Sequence, residues 1–265
     1  MGEGSAAIGR TVRAGIAGWA PGVRACWAAL AAGAVLGLLP RVLPPGLGFL
    51  GLPLELAATT VAYGALYRTA FGGPAGWKGL RWGVQEWRLL AVQVLVTVIL
   101  TIVAAVLAVL VAAVVVGVAK VNEPGLNITS VEAWRRALDG PGAVPVGLAP
   151  LLSMIVMIWL FLRLSLAPAA TIDQDRIQVI SAFGRSRGAV LILAAAGVVL
   201  AAPAIILAVA IGRFQAVMGF SEDVLVVEPL IAAAIFFFYL IPVWTAALVE
   251  VYRVQPAPAP GTLRT

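Results

Sequence analysis

The sequence predicts an all-α fold, a polytopic membrane helix bundle of six transmembrane helices with short amphipathic interfacial helices. Three observations carry that reading. Of 265 residues, 62% are hydrophobic and only 11% charged, whereas a soluble chain is about half apolar and a quarter charged. Lipid rather than water must therefore face most of the surface. The charges also bunch, and between the bunches lie six apolar stretches near the ~20 residues that cross a ~30 Å hydrocarbon core. Finally, the cations gather on alternate loops.

Taken in order, residues 1–24 read as an interfacial helix rather than a cleaved signal, because Arg10, Arg13 and Arg24 interrupt any apolar core. Ile8, Val12, Ile16 and Trp19 recur at helical spacing and predict the lipid-seated face. Charge-free runs of 16, 31, 23, 25 and 21 residues follow at 25–40, 89–119, 140–162, 188–212 and 229–249. A sixth stretch of 26 residues at 42–67 is interrupted only by Glu55. Spans are expected at about 25–40, 50–69, 89–119, 143–164, 188–212 and 229–250, forming one transmembrane domain over 1–251 with a flexible tail at 252–265. The short first stretch either crosses or re-enters through the Pro- and Gly-rich turn at 40–51.

Thirteen of the eighteen cations fall on one side: Arg10, Arg13 and Arg24, then Arg68, Lys78, Arg81 and Arg88, then Arg163, Arg176, Arg185 and Arg187, and lastly Arg253 and Arg264. Arg41, Lys120, Arg135, Arg136 and Arg213 remain for the other. Cytoplasmic loops carry the Lys/Arg excess, so both termini are expected in the cytoplasm. The sixteen Arg against two Lys, with abundant Ala, Gly and Val, suit a bacterial inner-membrane protein.

Two cytoplasmic loops hold the candidate lipid-binding residues. In the second, Trp77, Leu80, Val84 and Trp87 sit beside Lys78, Arg81, Gln85 and Arg88 at the same spacing, predicting a surface helix with an aromatic stripe and a basic stripe. Trp favours the headgroup level, and each surface cation is attracted to anionic lipid by ~1 kcal/mol. The fourth loop adds Arg176, Arg185 and Arg187. The same pattern serves equally as a plain anchor that sets the depth of the bundle.

The fourth loop reads Arg163-Leu-Ser165-Leu-Ala167-Pro168, an amphipathic stretch, then Ser181-Ala182-Phe183 and Arg187-Gly188 opening the next span. Together with Ile8-Gly9-Arg10-Thr11-Val12, this resembles a poorly characterised family of bacterial six-span proteins, which includes the membrane domain attached to some glycerophosphodiester phosphodiesterases. Gly184-Arg185-Ser186 departs from that family's usual Thr-Arg ending. The resemblance implies a six-span fold and an inner-membrane address. It implies no activity, because the family's catalysis lies in a soluble domain outside these 265 residues.

Within the bilayer the candidates are Glu55, Gln93, Thr97, Pro203 and Pro242. Gln93, Thr97, Thr101, Ala105, Ala108 and Ala112 line one face of the third span, where small residues let helices pack in lipid. Gly197 and Ala201 pair similarly on the fifth. Pro203 and Pro242 free the carbonyls of Val199 and Phe238 and predict kinks, which mark substrate sites in some transporters. Glu55 is the one acid inside a stretch of span length, and is expected to pair with Arg41 or face water.

The chain contains no His and one cysteine, Cys26. Imidazole relays, His metal sites and Ser-His dyads are excluded, and all four Asp fall in loops. No catalytic residue, metal or cofactor is expected. The reading is a non-enzymatic scaffold or accessory subunit binding membrane lipids, anionic ones foremost, or a membrane-protein partner or second copy, with no nucleic acid. The alternative is a small-solute or lipid transporter using kinked helices five and six.

Overall fold

The computed structural model describes residues 2–74, 76–122, 143–218 and 227–255. The capping box expected at Thr129 to Glu132, the Asn127 glycosylation pattern and the residues of the tail beyond 255 lie outside them. The elements are α1 (Gly2–Val42), a 3-10 turn (Pro45–Leu50), α2 (Gly51–Ala70), α3 (Val84–Asn122), α4 (Ala143–Leu164), α5 (Ala167–Asp173) and α6 (Ile180–Arg185). After a second 3-10 turn (Ser186–Gly188) come α7 (Val190–Met218), α8 (Val227–Ile235), a π-turn (Phe236–Leu240) and α9 (Ile241–Val254). Six stretches among the described residues are long and apolar enough to cross a membrane. The chain is a multi-pass, all-α membrane protein.

It divides into two compact units, residues 1–94 with 163–265, and residues 95–162. The first contains the core. Cys26, Ala29 and Leu30 of α1 meet Ala58, Ala62, Ala65 and Leu66 of α2, and Phe237 and Ile241 complete the cluster. A second cluster joins Leu200 to Val243 and Ala247, with Val12, Tyr239 and Trp244 against it.

The N-terminal helix breaks close to the expected boundary between an interfacial helix at 1–24 and a short first span. Residues 2–42 are one helix, bent where Cys26 leaves helical geometry (φ −120°, ψ 17°). One face of it packs closely. Thr11 is buried, an added Cβ on Gly15 would meet Leu200 and the Val243 carbonyl at 3.0 Å, one on Gly18 would meet Ala246 Cβ at 2.5 Å, and one on Gly22 would meet Leu66 at 3.2 Å. Ile16 points outward instead. Apolar side chains gain nothing by leaving lipid for a neighbouring helix, so the small-residue face makes the close contact.

Both prolines are built into the packing. α7 continues through Pro203, and Tyr239 Oη donates to the Leu200 carbonyl at 3.0 Å, one residue beyond the one Pro203 frees. Pro242 follows the π-turn at the start of α9. The carbonyl it frees, that of Phe238, accepts from Trp19 Nε1 at 2.6 Å. The Trp19 and Tyr239 rings meet edge to face at 5.8 Å. At Pro242 a neighbouring side chain thus satisfies the backbone group that proline leaves open, as spanning helices require.

In the second unit, Ala108 and Ala112 of α3 line a cleft of about 510 Å³ with Pro150, Ser153 and Met157 of α4. Thr97 is half-buried, while Thr101 and Ala105 are exposed, so the two ends of the expected seam find neighbours and its middle does not. Gln93, in the first unit, accepts from Thr59 Oγ1 at 3.1 Å and Thr60 Oγ1 at 2.8 Å, which ties α3 to α2. On α7, Gly197 packs under Trp244.

Candidate functional site

The loops at the C-terminal end of α2 form one assembly around Arg68, a residue with nothing in its local sequence to distinguish it from the other span-end cations. Its side chain is 2% exposed and forms a salt bridge with Glu86, 1% exposed. Arg68 Nη2 donates to the Gly79 carbonyl at 2.9 Å and Nε to that of Pro74 at 3.2 Å. Glu86 Oε2 accepts from the Gly83 amide at 2.8 Å, the reciprocal half of a capping box that opens α3. Gly64 leaves the room: a Cβ there would stand 3.1 Å from Glu86 Oε1.

This pair shapes the second loop, which is not the surface helix its periodicity suggests. Residues 76–80 make a tight turn closed by a bridge between Trp77 and Leu80, with Gly76, Lys78 and Gly79 at φ +67°, +50° and +83°. Backbone in that region cannot continue a right-handed helix, and α3 starts only at Val84. Gly79 rests on the bend of α1, where its missing side chain lets it approach Cys26 and Ala65. Cys26 Sγ lies 3.3 Å from Thr69 Oγ1.

The fourth loop folds against the same end. Leu166, Ala167, Ala169, Ala170 and Thr171 are buried, and Thr171 Oγ1 accepts from the Gln178 amide at 3.1 Å. Tyr252 of α9 is the hub. Its hydroxyl donates to Asp173 Oδ2 at 2.6 Å, its ring meets Phe71 edge to face at 5.8 Å, and the Arg185 guanidinium stacks on it at 4.4 Å. Arg253 donates to the Ala70 carbonyl at 2.6 Å, at the end of α2, and Arg163 donates to that of Phe183 at 3.0 Å. A salt bridge from Arg88 to Asp175 joins the second loop to the fourth.

The eight residues expected to bind headgroups therefore divide by use. Arg88 and Arg185 hold the protein together. Arg176 is exposed and shares a hydrogen bond with Gln174. Lys78, Arg81 and Arg187 are exposed and have no ion-pair partner among the described residues. Beside them Trp77 and Trp87 remain 65% and 60% exposed. Trp77 meets Trp27 at 5.8 Å and Trp87 meets Trp82 at 5.4 Å, both edge to face. Trp27 lies far from the basic stripe in sequence, and Trp82 stands outside the aromatic stripe of Trp77, Leu80, Val84 and Trp87, so neither stands out in the sequence.

The other intramembrane candidate, Glu55, lies thirteen residues before Arg68 on α2, ~20 Å away along the axis. It is exposed and not salt-bridged to Arg41, although both line one cleft. Among the described residues no three His, Cys, Asp or Glu side chains gather as metal ligands would. Comparison of the chain with protein-family models, curated proteins and solved structures finds no match.

Proposed function

We propose that the protein is a non-enzymatic scaffold or accessory subunit of the bacterial inner membrane that holds anionic phospholipid at the basic, aromatic end of its first unit. The observation that carries the reading is that Lys78, Arg81 and Arg187 are exposed with no ion-pair partner among the described residues, at the end that also exposes Trp27, Trp77, Trp82 and Trp87, while neighbouring cations are consumed by internal bonds. Indole rings suit the headgroup level, and cations there attract anionic lipid. The resemblance to the six-span family agrees with this address.

The test is native mass spectrometry of the full chain released from mild detergent in the presence of phosphatidylglycerol. Wild type retains the lipid. Replacing Lys78, Arg81 and Arg187 together with Gln lowers retention about a hundred-fold, at ~1 kcal/mol for each cation. Unchanged retention overturns the reading. None of the three replaced side chains contributes an ion pair to the fold, so its thermal unfolding stays near wild type.

The cation excess also places this end and both termini in the cytoplasm. Ser181 is exposed on the fourth loop, whereas Cys26 is buried and stays silent to reagents. Ser181→Cys is expected to react with an impermeant maleimide only after lysis, and Ser221→Cys, outside the described residues, in intact cells. The reverse pattern would invert the topology.

A further inference from the structure

The end of the first unit away from Arg68 carries a cleft of about 560 Å³ between the last turns of α1, the first turns of α2, α7 and the π-turn. That volume is within the ~300–1,000 Å³ of small-ligand sites. Its walls are small and apolar, Ala201, Ala204 and Ala208 on one side and Phe236 and Phe237 on another. Gly33 and Gly37 admit the Phe237 ring, since a Cβ on either would lie within about 3.0 Å of it. A π-turn is uncommon and tends to mark working parts of helices, and here it forms a wall.

Two charges of opposite sign line this cleft, Arg41 from the last turn of α1 and Glu55 from α2. They do not approach within salt-bridge distance of each other. Thr59, the neutral polar side chain beside them, is already occupied by the Glu55 and Leu56 carbonyls and by Gln93. An occupant with only negative charge would meet Arg41 and be repelled by Glu55, and one with only positive charge the reverse. An apolar occupant would leave both ions poorly solvated.

We propose that this cleft binds a zwitterionic phospholipid, its headgroup phosphate on Arg41, its ammonium on Glu55, and one acyl chain along the alanine and phenylalanine walls. This site is separate from the anionic-lipid end, and it gives Glu55 an ion-pair partner where none is present among the described residues. The volume accommodates one chain and leaves the other in the bilayer.

The full chain, exchanged into detergent with equimolar phosphatidylethanolamine and phosphatidylglycerol, is read by native mass spectrometry after the cations of the opposite end, Lys78, Arg81 and Arg187, have been replaced with Gln. Phosphatidylethanolamine is expected to be the retained lipid. Glu55→Gln and Arg41→Gln should each lower its retention about ten-fold, as loss of one charge-assisted hydrogen bond implies. Ala208→Phe, which adds bulk to the cleft wall and alters no charge, should do the same. Equal retention of the two lipids, or retention unaffected by Glu55→Gln in a variant that unfolds at the wild-type temperature, overturns the proposal. Displacement of the lipid by free phosphoethanolamine would overturn the lipid assignment. Because the triple replacement is present throughout, failure here is distinguishable from failure of the anionic-lipid reading.

Discussion

Glu86→Ala is expected to destabilise the folded chain by about 3–5 kcal/mol, the usual consequence of removing one partner from a buried ion pair. Arg68 would keep its bonds to the Pro74 and Gly79 carbonyls, yet its charge would remain buried with no acid to balance it. The same substitution removes the acceptor for the Gly83 amide, and with it half of the box that opens α3. Replacing both partners, Arg68→Met with Glu86→Leu, leaves no uncompensated charge and should recover most of the loss. It also releases the two carbonyls that Arg68 holds, so residues 71–83 should become more sensitive to protease although the bundle is stable. Unfolding in detergent, followed by tryptophan fluorescence, checks the first expectation, and timed proteolysis the second. A change below about 1 kcal/mol for Glu86→Ala would mean that water reaches the pair.

Gly79→Ala should have the next largest effect. At φ +83° any L side chain is strained, by about 1–2 kcal/mol, and the new Cβ would stand 2.9 Å from Cys26 Cα and 3.0 Å from Ala65 Cβ. One of those neighbours is backbone at the bend of α1 and yields poorly. Overpacking of this kind adds about 1–3 kcal/mol, for a total of about 2–5 kcal/mol. Gly72→Ala separates the two contributions, because Gly72 has φ +74° but nothing within 4 Å of an added Cβ. It should show the conformational part alone. If the two variants lose equal stability, the loop tip does not rest on α1.

Two sets of residues satisfy helical spacing, Trp77, Leu80, Val84 and Trp87, and Ile8, Val12, Ile16 and Trp19. In the first set Gly76 and Gly79 could have warned of a turn, and the bonds from Arg68 make that turn stable. In the second set the periodicity located a helix, and Ile16 faces outward as a lipid-seated side chain does. In water an apolar stripe faces the core, but in lipid the Thr11, Gly15, Gly18 and Gly22 stripe is the one that packs. Pro242 was legible as a position that frees the Phe238 carbonyl. That Trp19 would bond to it, from 219 residues away, was not.

Length and charge spacing alone determined the six spans and the basic end, because crossing a hydrocarbon core demands about twenty uncharged residues whatever their neighbours are. Tertiary structure alone decided how the charges are used. Arg68, Arg88, Arg185 and Lys78 look equivalent along the chain, yet one is buried on Glu86, one is paired with Asp175, one stacks on Tyr252 and one has no ion-pair partner among the described residues. Pairing depends on which helix ends meet, and that follows from small-residue contacts and a bend at Cys26 rather than from hydrophobicity, which lipid makes nearly indifferent to the choice of neighbour.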